Sequence, residues 1–325
     1  MTTIPRQAVL IARHVFAQVA ERLGQHFDVE ANDQPVDWSR EELIRRLQGK
    51  AGVFVAAQEP IDATLLDACP ELRAVCSMAV GYNNIDVAAC TARGVTVTNA
   101  PDVLTETTAD FAFALMMAAA RRIAESERFL RSGQWQRWAY DFFAGADVHG
   151  ATLGILGMGR IGQAIARRGA LGFGMRVIYH NRSRLAPELE APIGACWVEK
   201  AELLRQADHL VLVVPYSPAS HHAIGAAELA QMKPTATLTN VARGGVVDDA
   251  ALAQALAERR IAAAGLDVFE AEPRVHPALL DVPNVVLTPH IASATAATRL
   301  KMAMLAADNL IAVLGGQPAL TPVRA

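Results

Sequence analysis

A glycine-rich turn at residues 157–162 constrains this chain more than any other stretch. Leu153-Gly154-Ile155-Leu156 reads as a buried strand, Gly157-Met158-Gly159-Arg160-Ile161-Gly162 follows, and Gln163 to Arg168 carries helical periodicity. Strand, glycine turn and helix in that order fit a dinucleotide pyrophosphate site. The first glycine makes a tight turn, the second lets backbone approach the phosphates, and the third lets helix and strand pack closely. The N-terminus of the helix offers backbone N–H groups and partial positive charge to an anion. Gly157, Gly159, Arg160, Ile161 and Gly162 are therefore cofactor-binding candidates. A purely structural turn is the competing reading, and the strand–turn–helix context disfavours it.

A chain of 325 residues suggests two domains. A net charge of −3 without a basic block argues against a nucleic-acid partner. No apolar run has the length of a membrane span, and the N-terminus lacks the apolar core of a signal peptide. Cys69, Cys76, Cys90 and Cys196 form no CxxC pair, which argues against a zinc site or a disulfide framework and suggests a cytoplasmic location.

The first hundred residues alternate strand-like runs (8–12, 52–56, 74–78, 95–98) with helical patches, implying parallel α/β layers. Asn99-Ala100-Pro101-Asp102 breaks this half. Residues 105–123 read as one long helix, apolar nearly all round, buried either in a subunit interface or in a core. Residues 133–150 are irregular and rich in aromatics, Trp135, Trp138, Tyr140, Phe142 and Phe143, with core packing as the default expectation. From Thr152 a series of six strands separated by helices matches a doubly wound nucleotide-binding sheet. A last helix, 296–314, is stopped by Gly315-Gly316 and is expected to return to the first domain. The expected division is 1–101 with 291–325 as the substrate-binding domain and 102–290 as the dinucleotide-binding domain, hinged near Pro101 and His290.

The end of the second nucleotide-domain strand bears on the cofactor. NAD sites place Asp or Glu there, about 20 residues past the glycines, to hold the ribose 2′-hydroxyl. This chain has His180-Asn181-Arg182-Ser183-Arg184, with no carboxylate. Arg182 and Ser183 suit a 2′-phosphate, so NADPH is expected over NADH.

Three further strand ends deliver chemistry. Arg243 lies in a glycine-rich turn, Asp267, Glu270 and Glu272 at and beyond another strand, and His290 just after the last. Ligands of open α/β sheets bind beyond the carboxyl ends of strands. Reduction of a 2-keto acid leaves an alkoxide that needs a proton, and histidinium is a natural donor. A carboxylate beside an imidazole favours its charged form, and a guanidinium grips a carboxylate in a bidentate way. His290 is the expected acid, Glu272 its partner and Arg243 the substrate anchor. His221-His222 looks like a metal pair, but it has no carboxylate or Cys close in sequence, and adjacent residues rarely share an ion. The expectation is a structural pair and no metal.

The motifs at 80–86, 104–110 and 157–162, Arg243 with its Gly-Gly, 267–273 and Pro289-His290 resemble those of the D-isomer-specific 2-hydroxyacid dehydrogenases across the whole chain. Within that family, 150–162 and Asn181-Arg182-Ser183 are most similar to glyoxylate/hydroxypyruvate reductases of the type that also reduces 2-ketogluconate. The resemblance implies α/β architecture in two Rossmann-like domains, a doubly wound nucleotide-binding domain inserted in a flavodoxin-like substrate domain. It implies roles for Arg243, Glu272 and His290 in catalysis and for Asp267 in supporting the cofactor and active site. Val80 and Gly81 correspond to the loop whose N–H groups hold the substrate carboxylate, and Pro215 and Ala242 to positions lining the cofactor. Ser220, in Ser217-Pro218-Ala219-Ser220, stands where many relatives have the last threonine of Thr-Pro-Glu-Thr, and it keeps a hydroxyl for the cofactor. A homodimer through the nucleotide domain, with the 105–123 helix at the interface, is also implied. A cofactor-sensing corepressor and a formate or phosphite dehydrogenase are the alternatives on the same fold.

Overall fold

The structure, a computed structural model, describes residues 6–324. Two compact units divide it: one runs to Leu104 and resumes at Thr295, and the other is Thr105–Ala294.

The first unit holds a five-stranded parallel sheet. Its strands are β1 (Ala8–Ile11), β2 (Asp28–Ala31), β3 (Gly52–Val55), β4 (Ala74–Ser77) and β5 (Thr96–Thr98), in the order β2-β1-β3-β4-β5. That is the doubly wound order of flavodoxin-like sheets. Strand β2 is absent from the sequence reading because it is an edge strand with alternating charge and no buried residue. Short helices on this sheet start at side-chain caps: Ser39, Asp62 and Asp86 accept from the N–H groups of Glu42, Leu65 and Ala89. The terminal helix Ala296–Leu314 belongs to this unit. Ala303, Ala306, Ala307 and Leu310 pack with Val9, Phe54 and Cys76. A Cβ at Gly52 would stand 2.6 Å from Leu310 Cδ1, so glycine on β3 admits this helix. Burial of Leu310 alone contributes about 1.5–3 kcal/mol.

The second unit holds seven parallel strands: β6 (Thr152–Leu156), β7 (Arg176–His180), β8 (Cys196–Trp197), β9 (His209–Leu212), β10 (Thr237–Asn240), β11 (Ala263–Leu266) and β12 (Val285–Leu287). The order β12-β11-β10-β9-β6-β7-β8 is doubly wound about β6. The two-residue β8 adds an edge strand to the six expected. Two apolar layers sandwich the sheet, one containing Leu210, Leu238, Leu252 and Leu266, the other Ala112, Met116, Ile155 and Ile165.

The helix after Thr105 is shorter than expected. It ends at Ala120, Arg122 takes a left-handed φ of 55°, and a second helix, Ile123–Arg131, begins. Its apolar residues Ala112, Leu115 and Met116 are buried within its own chain, where it packs on β10, β11 and helix Arg160–Arg167. Much of its apolar surface is thus satisfied by the unit's own sheet and helix. The aromatics that follow are not core: Trp138 is 72% exposed and Tyr140 94% exposed. Among the described residues, no helix is long and apolar enough to cross a membrane.

His209 at the start of β9 is fully buried, its Nε2 donating to the Asp147 carbonyl (2.9 Å) and its Nδ1 accepting from the Thr237 hydroxyl (2.8 Å). Both ring nitrogens are thus used by the neutral form. Burial pushes its pKa below the ordinary 6.5, against the Asp147 carbonyl and Asp208. The folded state therefore resists protonation that the unfolded chain accepts, so stability is full above pH 6.5 and declines below it, by up to about 1.4 kcal/mol per pH unit. Urea unfolding between pH 7.5 and 5 should show this slope, and His209→Gln should flatten it; an equal slope in both proteins would contradict the assignment.

Candidate active site

The glycine turn closes β6 in the geometry its three glycines require. Gly157 has φ +104°, and a Cβ there would lie 2.8 Å from the backbone of Val213 and Val214. At Gly162 a Cβ would stand 2.3 Å from the Gly157 carbonyl oxygen, so only glycine lets this helix start against the strand. Gly159 faces open space and precedes helix Arg160–Arg167, which begins at Arg160 and Ile161. The first N–H groups of a helix have no intrahelical acceptor. A backbone cradle with an open middle glycine at a helix N-terminus fits a pyrophosphate.

The turn after β7 stands beside it. Asn181 Oδ1 accepts from the Met158 N–H (2.6 Å), tying this turn to the glycine turn, and its carbonyl accepts from Trp197 Nε1 (3.0 Å). Arg184 is committed to structure. It pairs with the buried Glu190 at 2.7 Å, and Glu190 also accepts from the Tyr179 hydroxyl (2.6 Å). Arg182 and Ser183 are exposed, and Arg182 has no ion-pair partner among the described residues. Only one of the two arginines is thus left for a ligand.

Beyond β9, Pro215 is exposed and the Ser220 hydroxyl is spent within the loop. It accepts from the Ser217 N–H (2.8 Å) and donates to the Pro215 carbonyl (2.9 Å). Ser220 therefore shapes the loop that presents Pro215.

The carboxyl ends of β10, β11 and β12 bring Arg243, Glu272 and His290 together. After β10, the buried Asn240 side chain accepts from the Ala242 N–H (3.0 Å) and donates to the Arg243 carbonyl (3.3 Å). It braces the turn from within, a role that residue type alone does not reveal. Ala242 is buried, and its carbonyl accepts from Arg243 Nη1 (2.8 Å). Burial pulls the Arg243 guanidinium below its ordinary pKa, against the charge of Glu272. A Cβ at Gly244 would stand 1.7 Å from the Phe269 carbonyl oxygen, so the Arg243 loop lies backbone to backbone on the loop after β11.

That second loop folds on itself, Glu272 Oε1 accepting from the Phe269 N–H (3.0 Å). Its other oxygen, Oε2, accepts from His290 Nδ1 at 2.8 Å. Burial acts to raise the Glu272 carboxyl, but the His290 hydrogen bond and charge, the Phe269 N–H and Arg243 outweigh it. They hold the carboxyl below the ordinary carboxylate value. An ionised Glu272 fixes the tautomer of His290, with Nδ1 the donor toward the carboxylate.

Asp267 is tied to the turn that carries His290. Fully buried at the end of β11, it accepts at Oδ1 from the Ile291 N–H (2.8 Å) and the Thr288 hydroxyl (2.7 Å). At Oδ2 it accepts from the Ala292 N–H (2.8 Å), and its carbonyl accepts from the His290 N–H (2.8 Å). Both carboxylate oxygens are committed to the turn carrying His290, whose φ is +52°. Asp267 holds the backbone of the turn that carries His290. Burial raises its carboxyl pKa against these donors and His290.

Val80 and Gly81 lie in the first unit, in the loop after β4. The Val80 carbonyl accepts from Asn99 Nδ2 (2.7 Å), and neither N–H has an acceptor among the described residues. The His221-His222 pair has a partner that sequence distance concealed: His222 Nε2 lies 2.5 Å from Glu270 Oε1. The expectation that no carboxylate stands near the pair is therefore wrong, because the loop after β11 folds over it.

Residues 113–292 match the family model described as D-isomer specific 2-hydroxyacid dehydrogenase, NAD binding domain. A glyoxylate reductase of Thermococcus onnurineus is 48% identical over 313 residues, 95% of this chain and 93% of that protein. The crystal structure of a glyoxylate reductase from Paecilomyes thermophila superposes with a TM-score of 0.87 at 36% identity, covering 98% of this chain and 99% of that one. An NADPH-dependent glyoxylate/hydroxypyruvate reductase from Sinorhizobium meliloti, solved in complex with NADP and malonate, gives 0.86 at 37% identity, covering 98% and 97%. With its glycine turn, its two parallel sheets and matches of this extent, the chain belongs to the D-isomer specific 2-hydroxyacid dehydrogenase family and is an oxidoreductase of that family.

Proposed function

We propose that this protein reduces small 2-keto acids, glyoxylate and hydroxypyruvate first and 2-ketogluconate next, to D-2-hydroxy acids, with NADPH preferred and NADH the weaker donor. The Glu272–His290 hydrogen bond beside Arg243, at three adjacent strand ends, carries this reading. The names of the relatives support it over a cofactor-sensing corepressor and over formate or phosphite oxidation.

Gly157, Gly159, Arg160, Ile161 and Gly162 would hold the pyrophosphate of the reduced cofactor, whose nicotinamide would supply the hydride. The chain's own residues do the rest. His290 holds a proton on Nε2 while its Nδ1–H is given to Glu272, and it delivers that proton to the oxygen that becomes the hydroxyl. Glu272 stays ionised and stabilises the charged ring before transfer. Arg243 grips the substrate carboxylate and polarises the carbonyl, and its partial burial strengthens both effects. Val80 and Gly81 are assigned to substrate binding, and their unengaged N–H groups suit a carboxylate. Pro215 and Ala242 are assigned to the walls of the cofactor site.

The NADPH preference rests on the turn after β7. A carboxylate there would repel a 2′-phosphate, whereas Arg182 is exposed and Arg184 is occupied by Glu190. We further place the chain in the cytoplasm as a homodimer joined through the nucleotide-binding unit. The exposed Trp135, Trp138 and Tyr140 support an apolar contact with a second copy.

With NADPH and hydroxypyruvate, His290→Ala should lower kcat by about 10²–10⁴-fold, the usual contribution of a positioned acid, and leave NADPH affinity unchanged. Loss of reduced-nicotinamide absorbance measures the first and fluorescence titration the second. An unchanged rate would remove His290 from the mechanism, and failure of the native protein to reduce any 2-keto acid would overturn the function. Arg182→Ala should raise the KM for NADPH about tenfold or more, since a charge-assisted contact contributes about 1.5–3 kcal/mol. The KM for NADH should stay as it was; equal changes for both cofactors would refute the 2′-phosphate assignment.

A further inference from the structure

We propose that His221, His222 and Glu270 form a binding site for a divalent transition-metal ion, Zn²⁺ in the first instance, against the loops that carry Arg243 and Glu272. One ring nitrogen of each histidine and one carboxylate oxygen of Glu270 lie within 4.8 Å of one another. Adjacent side chains ordinarily diverge, which is the usual objection to such a pair. Here His222 has a left-handed φ of 49°, and the two rings lie on the same side, stacked at 3.9 Å between centroids and 21° between planes. The rings are reachable from solvent, His221 and Glu270 being exposed.

The donor set selects the ion. Two imidazoles and one carboxylate suit Zn²⁺, Co²⁺ or Ni²⁺, whereas Mg²⁺ and Ca²⁺ prefer all-oxygen ligation. The surroundings match those of ligating histidines, whose second nitrogen is held by an outer partner. His222 Nδ1 faces Asp248 Oδ2 at 3.9 Å, and His221 Nδ1 lies 3.2 Å from the Tyr216 hydroxyl. An ion replacing the proton between His222 and Glu270 requires their 2.5 Å separation to widen. Tetrahedral ligands at about 2.0 Å stand about 3.3 Å apart, a shift of under about 1 Å for an exposed carboxylate.

The site joins three loops. The His222 N–H donates to the Gly245 carbonyl (2.7 Å), and a Cβ on Gly245 would meet Tyr216, His221 and Glu270 within 3.7 Å. Gly245 is two residues after Arg243, and Glu270 is two before Glu272. A bound ion would tie both loops to the 216–222 segment.

Calorimetric titration of the full-length, chelator-treated protein, with and without NADPH, tests the proposal. Zn²⁺ should bind at one equivalent per chain, Co²⁺ should bind with visible d–d absorption, and Mg²⁺ should not compete. His221→Ala, His222→Ala and the nearly isosteric Glu270→Gln should each weaken Zn²⁺ about tenfold or more. The exposed His221 makes a folded variant the expected product, and circular dichroism checks it. No Zn²⁺ binding, or affinity unchanged from the native protein in all three variants, would overturn the proposal. So would binding that survives His221→Ala but is lost in His290→Ala, which would move the ion to the Glu272–His290 pair.

Discussion

The buried carboxylate of Asp267 is the constraint on which the rest of the site depends. It stands at the end of β11, where a parallel strand presents its last residue to the ligand side of the sheet. Its oxygens accept from Thr288, Ile291 and Ala292, and its carbonyl accepts from the His290 N–H. Four contacts thus over-determine a turn in which His290 takes a left-handed conformation that non-glycine residues seldom adopt. With that backbone held, His290 Nδ1 reaches Glu272, and Glu272 reaches back to the Phe269 N–H of its own loop. The Phe269 carbonyl in turn lies against Gly244. Arg243, Glu272 and His290 are therefore one mechanical unit built from three loops.

Electrostatics follow from that placement. Glu272 is kept ionised by His290, Phe269 and Arg243 against the cost of its burial. Arg243 is a guanidinium short of water, which favours an anionic ligand as its partner. The cofactor end obeys the same logic. Arg184 is neutralised by Glu190, so the positive charge that remains beside the glycine turn is that of Arg182.

Much of this was legible in the sequence where periodicity or residue type maps directly to backbone need. The glycine turn names its own geometry because Gly157, Gly159 and Gly162 each answer a different steric requirement. The long apolar strands of the second unit are buried on both faces and read as continuous runs. Legibility fails where partners come from far along the chain. Asp28–Ala31 is an edge strand with no apolar signature, and the break at Arg122 is a backbone event inside an apolar pattern. The hold of Asp267 on the His290 turn is not visible in the sequence because its three partners lie 21–25 positions away. Glu270 joins His222 across 48 positions, beyond any spacing rule. The aromatic stretch around Trp138 was read as core because composition gives no direction, whereas the structure leaves it in solvent.

We propose that Asp267 acts by positioning His290 without contacting the cofactor. Steady-state kinetics of Asp267→Asn with 2-keto acid and NADPH test it most directly. An amide retains the shape but presents an N–H₂ group to backbone donors, so the turn should loosen. A misplacement of this kind costs about 10²-fold in rate. The account predicts that loss in kcat with the KM for NADPH unchanged; an intact kcat, or a rise in that KM as large as the fall in kcat, would contradict it.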